Sequence, residues 1–184
     1  VDVLWKVVEL FRSHSASIRL RTLELTLDWA ESSISGAQPG FRYFCPIWQD
    51  HWGDQPWWMT FNRDTYMSDL LRLMGGENLF ADRQRRYPLE ADLSLQEPEP
   101  TGERDSRYPR VTLEEIRTAQ PEVILLPNEP FPFSEEHRQK LLEWLSGTPA
   151  AQKDRVVLFE GSLLTWHGTR LAKALRELPA ILGR

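Results

Sequence analysis

Flat aromatic side chains that could hold a ring-shaped ligand are concentrated between Phe41 and Glu77. Four of the chain's eight tryptophans stand close together there: Trp48, Trp52, Trp57 and Trp58. Gly53 and Pro56 interrupt this segment, so it is predicted to be a loop. An apolar strand from Phe41 to Ile47 precedes the loop, and a helix from Asp64 to Met74, capped by Asp64, follows it. Strand, aromatic loop and helix in this order predict the rim of a ligand cleft.

Strand and helix patterns alternate after residue 41 and position this rim. Val123–Leu126 is wholly apolar, as in parallel strands that are buried on both faces, and Val156–Phe159 is a further strand. Thr112 and Glu115 form a capping box that opens a helix. The pattern predicts an α/β fold, a three-layer αβα sandwich with a mainly parallel central sheet. Three loops follow strands and are expected to gather at one edge: Trp48–Trp58, Pro127–Phe133 and Gly161–His167.

The first 40 residues are predicted to be helical, with a loop at 33–40. A short one-faced helix ends near Phe11, and a long helix from Ile18 to Ser32 carries apolar residues on two sides. We expect that long helix to be covered on both sides. The chain starts inside a helical pattern, and we therefore expect it to be a fragment or a trimmed chain.

Composition and motifs argue against several classes of function. The net charge of −5 gives no electrostatic basis for binding nucleic acid, and no apolar run reaches the ~20 residues that span a bilayer. Phosphate-binding and dinucleotide-binding glycine motifs, a nucleophile elbow and paired zinc-ligand histidines are absent. Cys45, the only cysteine, is predicted to be buried. We therefore predict that the protein is not an enzyme and that it has neither catalytic residues nor a set of metal ligands. No signal peptide is visible in the sequence.

Three segments carry a resemblance to a known family. They are CPIWQDHWGDQPWWMTFNRDTYMSDLLRLMGGENLFAD, RYPRVTLEEIRTAQPEVILLPNEPFPF and GSLLTWHGTRLAKALREL. Together they resemble the second lobe of class III periplasmic binding proteins, the helical-backbone metal receptors that carry cobalamin, ferric siderophores or haem to ABC importers. The resemblance runs over about 140 residues, from Phe41 to Leu178. It is most specific at Gly75-Gly76-Glu77-Asn78 and at Leu113–Leu126.

The resemblance implies an architecture and a function. The helix Ile18–Ser32 would be the inter-lobe helix, so that residues 1–40 form a helical segment preceded by a missing first lobe, and residues 41–184 form the C-terminal ligand-binding lobe. The chain would be the substrate-binding component of an ABC importer for cobalamin or a related metal chelate, without a covalent cofactor. Its partners would be the chelate and an ABC permease of the inner membrane, and its location periplasmic or otherwise extracytoplasmic. The alternatives are an enzyme-associated or cofactor-sensing module that reuses the lobe, and a non-binding interaction domain.

Individual residues receive roles from the same comparison. Glu77 matches the acid with which the second lobe docks on its permease, the alternative being a solvated loop acid. The predicted ligand-binding residues are Trp48, Trp52, Trp58, Tyr108, Phe131 and Trp166, with packing against the sheet as the alternative for each. His51 and His167 are weaker candidates for metal ligands, and Arg85 and Arg86 for binding an anionic chelate.

Overall fold

Two β-sheets form the framework of the protein. The computed structural model describes residues 1–12, 14–34 and 40–183. In chain order the strands are β1 (Phe41–Phe44), β2 (Trp48–Trp52), β3 (Gln55–Met59), β4 (Gly76–Asn78), β5 (Arg110–Thr112), β6 (Val123–Pro127) and β7 (Val156–Phe159). The first sheet is parallel, in the order β4-β1-β6-β7. The second is antiparallel, in the order β2-β3-β5.

Helices connect these strands and cover the parallel sheet. They are α1 (Asp2–Phe11), α2 (His14–Ile34), α3 (Tyr66–Leu73), α4 (Leu89–Asp92), α5 (Leu113–Ala119), α6 (Glu135–Trp144), α7 (Pro149–Gln152), α8 (Ser162–Thr165) and α9 (Leu171–Ile181), with a 3-10 turn at Gly168–Arg170. The predicted capping box opens α5: Thr112 Oγ1 accepts from the Glu115 amide at 3.2 Å, and Glu115 accepts from the Thr112 amide at 2.9 Å. In the part of the chain that the structure describes, no helix is both long and apolar enough to cross a membrane.

Alternate residues of the central strands point into two separate cores, which confirms the predicted three-layer α/β arrangement. Tyr43 of β1 and Leu125 of β6 pack into one core, which includes residues of α3 and α9. Their neighbours Phe44 and Ile124 pack into the other, which includes residues of α5 and α6. A strand buried on both faces must be apolar at every position, and all five residues of β6 are buried.

The predicted aromatic loop is wrong, because Trp48–Trp58 folds as a β-hairpin. β2 and β3 pair from Trp48 opposite Met59 to Trp52 opposite Gln55. Gly53 lies in the tight turn with a φ of 58°, a conformation that glycine adopts without steric cost. The bulky aromatic residues on either side favour a pleated strand, so the glycine marks only a turn.

Two further boundaries differ from the sequence-based prediction. The cap of α3 is Thr65, whose hydroxyl accepts from the Ser68 amide, and not Asp64. Gly75, with a φ of 75°, ends the helix as predicted. The next residues, predicted to be a loop, form the edge strand β4, so Glu77 lies in a strand paired with Arg42.

The long helix α2 has 21 residues, which corresponds to a length of about 31 Å. Leu20 and Leu23 on one side of it are buried, whereas Ile18 and Leu25 are 56% and 55% exposed. The expectation that both sides would be covered is therefore wrong for this chain. Of the predicted loop at 33–40, residues 35–39 lie outside the described residues. The division into a helical segment (1–40) and a ligand-binding lobe (41–184) remains a prediction.

Candidate functional site

An open cavity of about 520 Å³ lies beyond the carboxyl ends of the parallel strands. Ile47 follows β1, Glu129 and Pro130 follow β6, and Thr165, the last residue of α8, leads into Trp166 and His167 after β7. The other lining residues are Met59, Tyr66, Met67 and Tyr108. Parallel strands bring their following loops to one edge, as predicted for Pro127–Phe133 and Gly161–His167, although no residue of Trp48–Trp58 lines the cavity. This edge is where such folds bind ligands.

The loops after β6 and β7 are braced against each other. The Gly161 amide donates to Asn128 Oδ1 at 2.8 Å, and the Thr165 hydroxyl donates to Glu129 Oε1 at 3.2 Å. A Cβ atom on Gly161 would come within 2.7 Å of both Cγ and the carbonyl oxygen of Glu129. Only glycine fits this approach, which places Glu129 in the wall of the cavity.

Two aromatic rings meet at another part of the wall. The rings of Tyr66 and His167 lie edge to face, 5.2 Å apart. Burial raises the pKa of the Tyr66 phenol above its ordinary value. Among the described residues this buried hydroxyl has no hydrogen-bond partner. It is therefore a donor that a bound ligand could satisfy.

The antiparallel sheet contributes a row of three side chains beside the cavity. Met59 of β3 pairs with Trp48 on one side and with Arg110 on the other. Residues directly opposite each other share a face of the sheet, with Cβ atoms roughly 5 Å apart. An exposed indole, a cavity-lining thioether and a guanidinium are thus aligned across three strands.

The prediction that Trp58 contacts the ligand is wrong. Its side chain is completely buried, its indole N–H donates to Gln49 Oε1 at 3.0 Å, and its ring packs edge to face on Trp144. Successive residues of a strand face opposite sides, so the residue between Trp57 and Met59 points away from both. In a segment predicted to be a loop, side chains are not expected to alternate between two faces. The sequence-based prediction therefore did not place Trp58 on the opposite face from Trp57.

The other predicted ligand-binding residues occupy three kinds of position. Trp166, 56% exposed, and Tyr108 line the cavity. Trp48 and Phe131 lie next to cavity-lining residues in the chain, and their rings meet edge to face at 5.5 Å. Trp52, at the far end of β2, is exposed but does not line the cavity. The binding role of all five remains a prediction.

Sequence reasoning missed several members of the wall. Met59, at the end of β3, lies one residue beyond the predicted loop Trp48–Trp58, and Tyr66 lies on the apolar face of the predicted helix. Glu129, in the loop after β6, and Thr165, the last residue of α8, line the wall through their contacts with each other and with Gly161. A strand assignment for 55–59 would have revealed Met59, whereas no local signal marks the last two.

The described residues contain no group of three or more His, Cys, Asp or Glu side chains that could hold a metal ion. His167 lines the cavity, while His51 is an exposed residue of β2. Cys45 is completely buried, and this burial raises the pKa of its thiol, in agreement with the structural role expected for it.

Glu77 lies in a second, charged groove of about 760 Å³ at the edge of the parallel sheet. Asp69 and Asp82 in the same groove form salt bridges with Arg72 and Arg63. Glu77 is exposed and has no salt bridge to any part of the chain that the structure describes. The groove shares no described lining residue with the cavity.

The fold resembles solved periplasmic binding proteins. BtuF, the vitamin B12 binding protein of Vibrio cholerae, is 21% identical with a TM-score of 0.57, over 92% of this chain and 52% of that protein. A possible iron-binding periplasmic protein from Staphylococcus epidermidis is 14% identical with a TM-score of 0.65, over 100% and 61%. The heme-binding protein RhuT from Roseiflexus sp. RS-1 is 19% identical with a TM-score of 0.61, over 95% and 58%.

This chain spans between about half and three fifths of the length of these solved proteins. No family model matches the sequence, and no curated protein matches it significantly. At these low identities the comparison shows similarity of fold alone. The fold agrees with the one implied by the sequence resemblance. The chain has the fold of part of a class III periplasmic binding protein.

Proposed function

We propose that this chain is the ligand-binding lobe of the substrate-binding component of an ABC importer, and that its cargo is cobalamin or a related metal chelate such as haem or a ferric siderophore. The single observation that carries the proposal is the largely apolar, aromatic cavity at the edge of the parallel sheet. Solved proteins of the same fold are named as binders of vitamin B12 and heme. An extracytoplasmic location belongs to the same proposal.

In this proposal the protein binds its ligand and does not catalyse a reaction. The exposed ring of Trp166 and the half-buried ring of Tyr108 offer flat surfaces to a corrin, porphyrin or catecholate. Trp48 and Phe131 extend this aromatic surface beyond the cavity. The braced loops keep Glu129 and Trp166 in place before the ligand arrives, which reduces the entropy lost on binding.

Titration of cyanocobalamin, haem and ferrioxamine B, followed by absorbance, tests this function. We expect one of the three to bind saturably and Trp166→Ala to weaken that binding about tenfold, because the variant loses a ring face worth about 1.4 kcal/mol. Trp5→Phe is the matched control, since Trp5 lies on α1 away from the cavity. Absence of saturable binding to all three chelates would contradict the proposal.

The proposal also assigns Glu77 to the contact with the permease. Its carboxylate is exposed and free of a salt bridge within the described residues, so it can meet arginines of a partner without first breaking an internal pair. It belongs to a groove separate from the cavity, so docking and ligand binding would not compete for the same residues.

A further inference from the structure

The wall of the cavity carries a carboxylate without a matching cation. Glu129 is half-buried and is the only Asp or Glu among the described residues that line the cavity, and none of these residues is Lys or Arg. Within the part of the chain that the structure describes, Glu129 forms no salt bridge. A carboxylate that is partly removed from water usually has a charged partner, so the missing partner needs an explanation.

Contacts with the loop after β7 hold Glu129 in place and leave one of its oxygens free. Oε1 accepts from the Thr165 hydroxyl at 3.2 Å, and the backbone and Cγ of Glu129 lie directly against Gly161. The other oxygen, Oε2, accepts no hydrogen bond from the described residues, and it is not among their buried atoms without a partner. It therefore has surface at the cavity that a ligand can reach.

The nearest arginines do not compensate this charge. Arg170 lies 5.6 Å from the ring centre of Trp166, and Arg107 lies 5.6 Å from that of Tyr108. Each of the two is already bound to a carboxylate outside the cavity lining, at 3.2 and 2.8 Å respectively: Glu160 and Asp105. The charge of Glu129 is thus left to the solvent or to a ligand.

This arrangement makes ligand binding depend on what the ligand places beside Glu129. A ligand that fills the cavity removes water from the carboxylate, which costs free energy unless new hydrogen bonds or an opposite charge replace that water. An ammonium or amide N–H group replaces it directly. A carboxylate on the ligand adds repulsion between like charges to the lost hydration.

We propose that Glu129 determines specificity: the ligand presents an ammonium or amide N–H group to its free oxygen, and a ligand that places a carboxylate there is rejected. This rests on the proposed function and narrows it to chelates with hydrogen-bond donors at their margin. Cyanocobalamin, whose corrin ring bears amides, and ferrioxamine B, which bears an ammonium, meet this requirement. Haem, which bears carboxylates, does not.

Benzylammonium and benzoate are matched probes, because they share a ring that suits the aromatic wall and carry opposite charges. Binding is followed at neutral pH and constant ionic strength by NMR of methionine labelled at the methyl carbon. Met59 and Met67 line the cavity, and Met74, which is buried outside the lining, is the internal reference. We expect benzylammonium to shift the two cavity signals saturably and benzoate to bind at least about tenfold more weakly.

Glu129→Gln tests the residue itself, since the amide keeps an oxygen for Thr165 and removes only the charge. The variant should bind benzylammonium and benzoate equally, whereas Glu97→Gln, the same charge change at an exposed residue outside the lining, should keep the preference. Benzamide separates the two kinds of donor, because it binds like benzylammonium if the N–H group suffices and more weakly if charge is needed. No saturable shift with benzylammonium, equal binding of both ions to wild type, or an unchanged preference in Glu129→Gln would overturn the proposal.

A second comparison, of haem with its dimethyl ester, connects Glu129 to the proposed cargo. Wild-type protein should bind the ester at least about tenfold more tightly, and Glu129→Gln should lose this preference while Glu97→Gln keeps it. Equal affinity of wild type for acid and ester would overturn the specificity role and leave the proposed function standing. A benzylammonium preference that depends on Glu129, without binding of any chelate, would keep the role of Glu129 and reject the proposed function. Circular dichroism spectra that match wild type confirm that the variants fold.

Discussion

Single residues decide the shape of the cavity wall, and Gly161 is the clearest case. Its amide and its missing side chain allow the loop after β7 to rest on Glu129. The sequence showed that loops would meet at this edge, because strand and helix patterns alternate. It could not show which atoms touch, since contacts between residues far apart in the chain leave no local pattern.

Gly161→Ala should lower the free energy of unfolding by about 1–3 kcal/mol, because the new Cβ atom overlaps Glu129. Gly147→Ala is the control, since a Cβ atom there meets nothing within 4 Å. Urea unfolding followed by fluorescence measures both variants. A loss of stability in Gly161→Ala no larger than in Gly147→Ala would show that the two loops adjust freely.

At the scale of elements, the strands and helices that a local sequence pattern marks were predicted correctly. The hairpin, which depends on the pairing of two strands, was not. The wholly apolar Val123–Leu126 and the Thr112 capping box identified a buried strand and a helix start. Gly53 and Pro56 favour a loop at Trp48–Trp58, whereas the aromatic residues around them favour the strands β2 and β3 that the structure shows. The error carried over to Trp58, whose side of the sheet follows only from strand alternation.

Elements also differ in how firmly they are packed. α1 buries none of its residues, whereas β6 buries all five. Hydrogen–deuterium exchange followed by mass spectrometry should therefore find α1 exchanging first and β6 last, near the rate set by global unfolding. Protection of α1 equal to that of β6 would contradict this order and would indicate a contact that covers α1.

At the scale of the whole molecule, the fold was predictable because alternating strands and helices allow few arrangements. The identity of the ligand was not predictable, since solved proteins of this fold are named as binders of different cargoes. The aromatic cavity and the charged groove share no described lining residue, so the proposed cargo and the proposed permease contact would use different surfaces.

Glu77→Gln should raise the concentration of this chain that half-stimulates ATP hydrolysis by its reconstituted permease–ATPase complex about fivefold or more, because a charge-assisted hydrogen bond is lost. Asp69→Asn in the same groove is the control, as Asp69 is already paired with Arg72. Chelate titrations should be the same for both variants and wild type. Unaltered stimulation by Glu77→Gln would remove Glu77 from the proposed interface.

The alignment of Trp48, Met59 and Arg110 across three strands sets the distance between the backbones that carry the outer two residues. Neighbouring strands are spaced about 4.8 Å apart, so the backbones that carry the indole and the guanidinium are separated by about 10 Å. The hydrogen-bonded strands therefore fix the separation of the two backbones. A molecule in contact with both side chains would have to span a distance set by this spacing together with the reach of the indole and of the guanidinium.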